Sequence, residues 1–366
     1  MFFLLSSIVL KNIFFLITPK SISKLYNIGF MLGSFWVFQL YTGVCLSFLY
    51  SNLNDFMAYF EIINATTDAE NRLSVRYMHI SGTSVIFFLV YIHMYKVFSS
   101  SVGEARANLV FLIGIILYFL LVLIAFIGYV LPNTAMSFWG LSVFSNILSS
   151  VPFLGKKILL FFWGGEFIND FTLSKVFSLH VFVPMISLLV IIIHLVVLHS
   201  MISSDIFDRY SFYNERLFFS WNSFLRDLFL LLFLINIFFY AVYIWYYFVF
   251  HEESFYFLST TSTPEKIIPE WFFLTFFGFI KCIPFKFPGL IILVISLFLI
   301  FSSHLIAIFI AFYSMKLFYS KDILHLMILL TIIGLCSTAV NLTFPILEML
   351  RVSVVSVILY FTCKVS

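Results

Sequence analysis

RYMHISGTSVIFFLVYIH, residues 76–93, sets two histidines fourteen positions apart in an otherwise apolar run, and HVFVPMISLLVIIIH, residues 180–194, does the same. An α-helix rises 1.5 Å per residue, so fourteen residues return to within about 40° of the starting face and advance about 21 Å. Each run therefore presents two imidazoles on one stripe, separated by about two thirds of a roughly 30 Å hydrocarbon core. His79 and His180 lie early in their runs; His93 and His194 lie late. If a complete crossing separates the two runs, they point the same way across a bilayer. The four residues then sort by depth into an outer pair, His79 with His180, and an inner pair, His93 with His194. Two opposed imidazoles at one depth are a ligand set for haem iron, and two layers predict two haems.

Glycine repeats the interval. Gly29 and Gly43 are fourteen apart in one apolar run, and Gly114 and Gly128 in another. Lacking Cβ, glycine lets another group approach its backbone. Small-residue helix contacts would account for the glycines alone. A four-helix bundle with a haem edge against each notch accounts for all eight positions. Arg76 and Lys96 stand three residues outside His79 and His93, where cations would pair with haem propionates or lie at the headgroups.

Composition sets the surroundings. The chain has 366 residues, 63% hydrophobic and only 10% charged, with a mean hydropathy of +1.11. A soluble domain carries roughly 25% charged residues, so this is a polytopic membrane protein in contact with lipid. Apolar runs long enough to span the bilayer fall at 28–50, 74–98, 108–130, 175–199, 226–249, 288–312, 322–341 and 346–363. Residues 2–17 read as an interfacial helix, and Pro184 is expected to kink the fourth span. The architecture is all-α: eight transmembrane helices, the first four forming the diheme bundle. Residues 1–210 make the haem-binding part, including short helices within 131–174, and residues 211–366 make a C-terminal part. Lys and Arg lean only slightly to one side of the spans, weakly favouring inward-facing termini.

Several classes are excluded. A net charge of +3 without a basic run gives no nucleic-acid partner. The cysteines Cys45, Cys282, Cys336 and Cys363 form no C-x-x-C-H, so a haem here is not attached through thioethers, and no iron–sulfur site is expected. No phosphate-binding glycine loop or nucleophile elbow occurs. The 52 phenylalanines exceed what burial needs and point to AT-rich organelle coding.

Together with GYVLP at 128–132, MSFWG at 136–140 and PEWF at 269–272, the 76–93 stretch resembles the mitochondrial cytochrome b family, the diheme membrane subunit of the cytochrome bc1 complex (respiratory complex III). The resemblance runs from about residue 26 to the C-terminus. It implies two non-covalent b-type haems, ubiquinol and ubiquinone as substrates, and two quinone sites on opposite sides of the mitochondrial inner membrane. It also implies a dimeric complex with a Rieske iron–sulfur protein, cytochrome c1 and further subunits. In this frame His79 and His180 ligate the low-potential haem, and His93 and His194 the high-potential one. Glu270 takes up a proton at the quinol-oxidation pocket, lined by Tyr129, Met136, Gly140 and Phe272. His199, Ser203 and Asp227 surround the quinone-reduction site.

The chain departs from the family pattern PWGQMS with Pro132-Asn133-Thr134-Ala135-Met136-Ser137, has Phe272 where a tyrosine is usual, and has the bulky Leu141 after Gly140. These positions bear on the outer pocket and leave the haem ligands untouched. Two other readings remain at this point. One is another diheme quinone-reactive membrane anchor; the other is a proton channel or transporter with a histidine relay.

Overall fold

The computed structural model describes residues 17–19, 27–51, 58–63, 75–99, 105–199, 216–218, 221–249, 257, 267–281 and 285–295. Five long helices carry the architecture: α1 (Ile28–Ser47), α2 (Val75–Ser99), α3 (Ala105–Val130), α6 (Asp170–His199) and α7 (Trp221–Val249). Each is long and apolar enough to cross a membrane. Their order and bounds match the first five expected spans to within a few residues. A helix apolar around its whole circumference hides its backbone polar groups in its own hydrogen bonds and offers only side chains to lipid. Phe88, Ile193 and Phe229 accordingly point outward and are exposed.

Between α3 and α6 lie two short helices, α4 (Ala135–Leu148) and α5 (Gly155–Trp163), as expected for 131–174. Beyond α7 come a 3₁₀ turn at Trp271–Phe273, α8 (Leu274–Lys281) and α9 (Lys286–Ile295). The start of α9 coincides with the sixth expected span; the seventh and eighth spans lie outside the described residues.

One local difference from the sequence reading stands out. Ile17–Pro19 forms β1, paired antiparallel with β2 at Arg216–Phe218. Ile17, expected to end an interfacial helix, is therefore extended, and the fold is mostly rather than wholly α-helical. The remainder of that expected helix lies outside the described residues. Periodicity along one segment carries no information about a strand partner two hundred residues away. α6 runs from Asp170 to His199 with Pro184 inside it, where the fourth span was expected. Proline removes one helical donor, and the Ser187 hydroxyl donates to the Pro184 carbonyl at 2.7 Å.

The chain divides into two compact units. One comprises Met1–Tyr50, Glu61–Ala125 and His180–Phe250; the other comprises Ser51–Phe60, Phe126–Leu179 and His251–Ser366. The units interleave along the chain and are a spatial division, different in kind from the division expected at residue 210. In the first unit α1 packs chiefly against α2, and α2 also against α7. Phe35 and Phe38 of α1 each meet Phe238 of α7 edge-on at 5.6 Å, a favourable aromatic geometry.

The second unit is organised by caps and turns. Thr134 is the N-cap of α4 and accepts from the Ser137 amide. Gly164, at φ 77, ends α5 in the left-handed conformation that glycine adopts without strain. Asn169 and Thr172 cap the start of α6 reciprocally: the Thr172 amide donates to Asn169 Oδ1 at 3.2 Å, and the Asn169 amide to Thr172 Oγ1 at 3.1 Å. Such pairing satisfies amides that a helix start leaves without partners.

Candidate functional site

The first unit brings His79 of α2 and His180 of α6 together. Their ring centres are 6.2 Å apart and the ring planes stand at 84°. Each ring is held from behind through Nδ1. His79 Nδ1 lies 2.8 Å from Thr42 Oγ1 of α1. The Thr42 hydroxyl has one proton, and the Phe38 and Gln39 carbonyls accept it at 3.1 Å each. The Thr42 oxygen thus keeps a lone pair toward His79, and an imidazole protonated on Nδ1 can donate to it. His180 Nδ1 donates to the Ile124 carbonyl of α3 at 3.1 Å. A neutral imidazole that donates from Nδ1 keeps its lone pair on Nε2.

This arrangement fits a haem iron. A metal about 2 Å from each of two opposed ring nitrogens sets the ring centres about 6 Å apart. Engagement of the ligand's other nitrogen is the usual support for a metal-bound histidine. Among the described residues no cluster of three or more His, Cys, Asp or Glu is ready for a bare cation. Two imidazoles suffice where a macrocycle supplies the other donors.

Further polar groups brace α1 against α2. Gln39 Nε2 donates to the His79 carbonyl at 2.7 Å and to Thr83 Oγ1 at 3.0 Å. A Cβ on Gly82 would come 2.8 Å from that Nε2, so Gly82 makes room for the strap. Sequence reasoning missed Thr42, Gln39, Gly82 and Thr83. The available signal was Gln39-x-x-Thr42, two polar residues on one face of a membrane helix.

At the other depth, His93 and His194 each face a glycine. A Cβ on Gly29 would lie 3.9 Å from His93 Cε1, and one on Gly114 would lie 3.5 Å from His194 Cε1. Gly43 likewise faces His79 Cε1, at 3.3 Å. Three of the four glycines thus keep space for ligand rings, where porphyrin edges were expected. His194 Nδ1 is buried without a hydrogen-bond partner among the described residues. Val110 and Ile124 are themselves fourteen apart, four residues before Gly114 and Gly128. A helical carbonyl points toward residue i+4, and glycine there leaves the carbonyl approachable.

Arg76 lies one turn before His79 on α2 and is buried, 5% exposed. Lys96 lies near the end of α2, and its side chain is outside the description. His199 ends α6 and is exposed. Asp227 of α7 is 3.8 Å from Arg226 Nε. Among the described residues no hydrogen bond or ion pair joins His199 to Asp227, and Ser203 lies outside them.

The second unit contains the other predicted group. Asn133 takes a left-handed φ of 49 between α3 and α4, a conformation asparagine tolerates better than most residues. The departures at 133 and 134 are thus a turn former and a helix cap. Tyr129 Cε1 would be 3.3 Å from a Cβ on Gly140, so any larger residue there presses on the tyrosine. Met136, Leu141 and Phe272 are buried. Phe126 meets Phe144 at 4.5 Å and Phe273 at 6.2 Å. Those contacts tie the end of α3 to both α4 and the turn that carries Glu270.

Glu270 precedes that 3₁₀ turn with extended backbone, φ −53 and ψ 151, and makes no side-chain capping bond. Its carbonyl accepts from the Phe273 amide at 2.8 Å. As a residue it is only partly covered, but burial of the carboxyl pushes its pKa up to about 7. A carboxyl balanced near neutrality can take and release a proton.

Two family profiles match the chain. The one described as Cytochrome b/b6/petB covers residues 13–202, and the one described as Cytochrome b(C-terminal)/b6/petD covers 259–361. Cytochrome b of Trypanoplasma borreli is 38% identical over 99% of this chain and 98% of its own length. Cytochrome b of Leishmania tarentolae is 42% identical over 82% and 81%, and that of Neurospora crassa 34% over 75% and 71%. A chain of a hyperthermophilic respiratory Complex III superposes with a TM-score of 0.81 at 22% identity, covering 94% of this chain and 91% of that one, a likeness of fold.

Proposed function

We propose that this chain, which belongs to the cytochrome b family, is the cytochrome b subunit of a quinol–cytochrome c oxidoreductase, respiratory complex III. The observation that carries the reading is the outer imidazole pair, 6.2 Å between ring centres with both Nδ1 atoms engaged. His79 and His180 hold one b-type haem, and His93 and His194 the second. α1, α2, α3 and α6 form the four-helix bundle around them, within a chain of eight spans. Residues 1–210 are the haem-binding part and 211–366 the C-terminal part. The bound haems supply one-electron carriage across the membrane. The chain's own residues hold the irons, seat their anionic edges through Arg76 and Lys96, and exclude water with α1 and α3.

Quinol oxidation takes place beside Glu270. Its carboxylate accepts a quinol proton and passes it to water on the outer side. Tyr129, Met136, Gly140 and Phe272 shape the pocket. One electron leaves to a Rieske iron–sulfur protein and onward to cytochrome c1. The other crosses to a quinone held by His199, Asp227 and Ser203 near the inner face, where protons are taken up. Proton release on one side and uptake on the other build a gradient across the mitochondrial inner membrane. A histidine proton relay is disfavoured because the Nδ1 atoms of His79 and His180 end on a threonine and a backbone carbonyl, away from any pathway.

The test is a reduced-minus-oxidised optical spectrum of the complex. Two distinct b-type bands, titrating separately, are expected; a complex without b-type bands overturns the assignment.

A further inference from the structure

We infer that Thr42 is a positioning residue for the outer haem: its hydroxyl holds His79 in the tautomer and ring orientation that ligate iron, and lowers that iron's reduction potential. The inference rests on the haem reading above. Thr42 is 1% exposed and points its oxygen at His79 Nδ1, 2.8 Å away. Its proton has acceptors in the carbonyls of its own helix, which leaves an oxygen lone pair for the Nδ1–H of a His79 that ligates iron through Nε2. A third weak contact, 3.3 Å to Gln39 Oε1, draws on the same proton and leaves that assignment unchanged.

Two consequences follow. The ring cannot flip without losing its acceptor inside a low-dielectric helix contact, where an unsatisfied donor is costly. An imidazole donating from Nδ1 is also a more basic ligand through Nε2. A more basic ligand favours ferric over ferrous iron, and hydrogen bonding around axial ligands is one of the means by which a protein tunes haem. The position fourteen residues earlier on α1, beside Gly29, is Ile28, which has no hydroxyl.

The experiment compares Thr42→Val, nearly isosteric without the acceptor, with Thr42→Ser in the intact complex. Redox titration follows both haems, and ferric electron paramagnetic resonance reports the angle between the ring planes. In Thr42→Val the outer haem is expected to hold its electron more tightly. Its reduced-to-oxidised ratio at fixed potential should rise roughly three- to tenfold, a tenfold change being about 59 mV for one electron. The outer ferric signal should move, the inner haem should keep its potential, and Thr42→Ser should restore both.

An unshifted outer haem, an equal shift of both haems, or a Ser variant that behaves like Val overturns the role. Should Val prevent assembly, Thr42→Cys retains the shape with a weaker acceptor and carries the same readout; an unmoved outer potential there overturns it equally. A wild-type complex lacking an outer haem would instead overturn the underlying reading.

Discussion

The two units build their sites in opposite ways. In the first, the proposed haem site rests on long helices: one fourteen-residue interval places histidines on α2 and α6, glycines on α1, and the Ile124 carbonyl on α3. In the second, the proposed proton-transfer site lies where helices stop: Asn133 in its left-handed turn, Thr134 at a cap, Glu270 in extended backbone before a 3₁₀ turn. The difference follows the chemistry. Two fixed metal ligands need a set separation and orientation, which regular helix provides. A group that takes up and releases a proton needs partial burial and a route out, which a broken helix provides.

The contrast can be broken from either side. His180→Leu should abolish the outer haem's optical band while the inner band survives, since one of its two ligands is gone; survival of both bands would detach ligation from the helical interval. Glu270→Gln should do the reverse, keeping both haems and slowing quinol oxidation by roughly 10²-fold or more, the usual scale for a positioned base. Burial raises the Glu270 carboxyl to about 7, and only the ionised form accepts a proton. The wild-type rate should therefore climb as pH rises through about 7, and the Gln variant should lack that rise. A rate–pH profile showing the same inflection in both would place the base elsewhere.

A smaller effect sharpens the comparison within the first unit. In Gly43→Ala the new Cβ would lie 3.3 Å from a His79 ring already pinned by Thr42. Overpacking of about 1–3 kcal/mol is expected, read as reduced outer-haem occupancy or a lower melting temperature of the complex. In Gly29→Ala the distance is 3.9 Å, ordinary contact, and replacing a helical glycine returns about 0.5–1 kcal/mol. That variant should be neutral or slightly stabilised. Equal damage from the two would mean that the glycines serve something other than the imidazole rings.

What could be read from residues alone follows the same division. The five spans, the meeting of His79 with His180 and the short helices in 131–174 were legible because periodicity and hydropathy are properties of one continuous segment. The acceptors behind the ligands were not. Ile124 acts through a carbonyl that every residue possesses, and Thr42 is a plain threonine until α2 is set against it. The β1–β2 pairing was hidden for a related reason: a strand partner is not encoded in the strand. Asn133 and Thr134 first stood out as departures from a family pattern. Their backbone geometry accounts for them as a turn and a cap.

Pro184 stands between the two histidines of α6, four residues after His180. The helical donor it lacks is the one that would have reached the His180 carbonyl. The peptide of His180, the proposed outer ligand, is thus a slack joint of that rod. A lineage could re-aim one iron's axial ring by small changes near this joint while the other stays in register, so a single helix can serve two centres whose energies drift apart over evolutionary time.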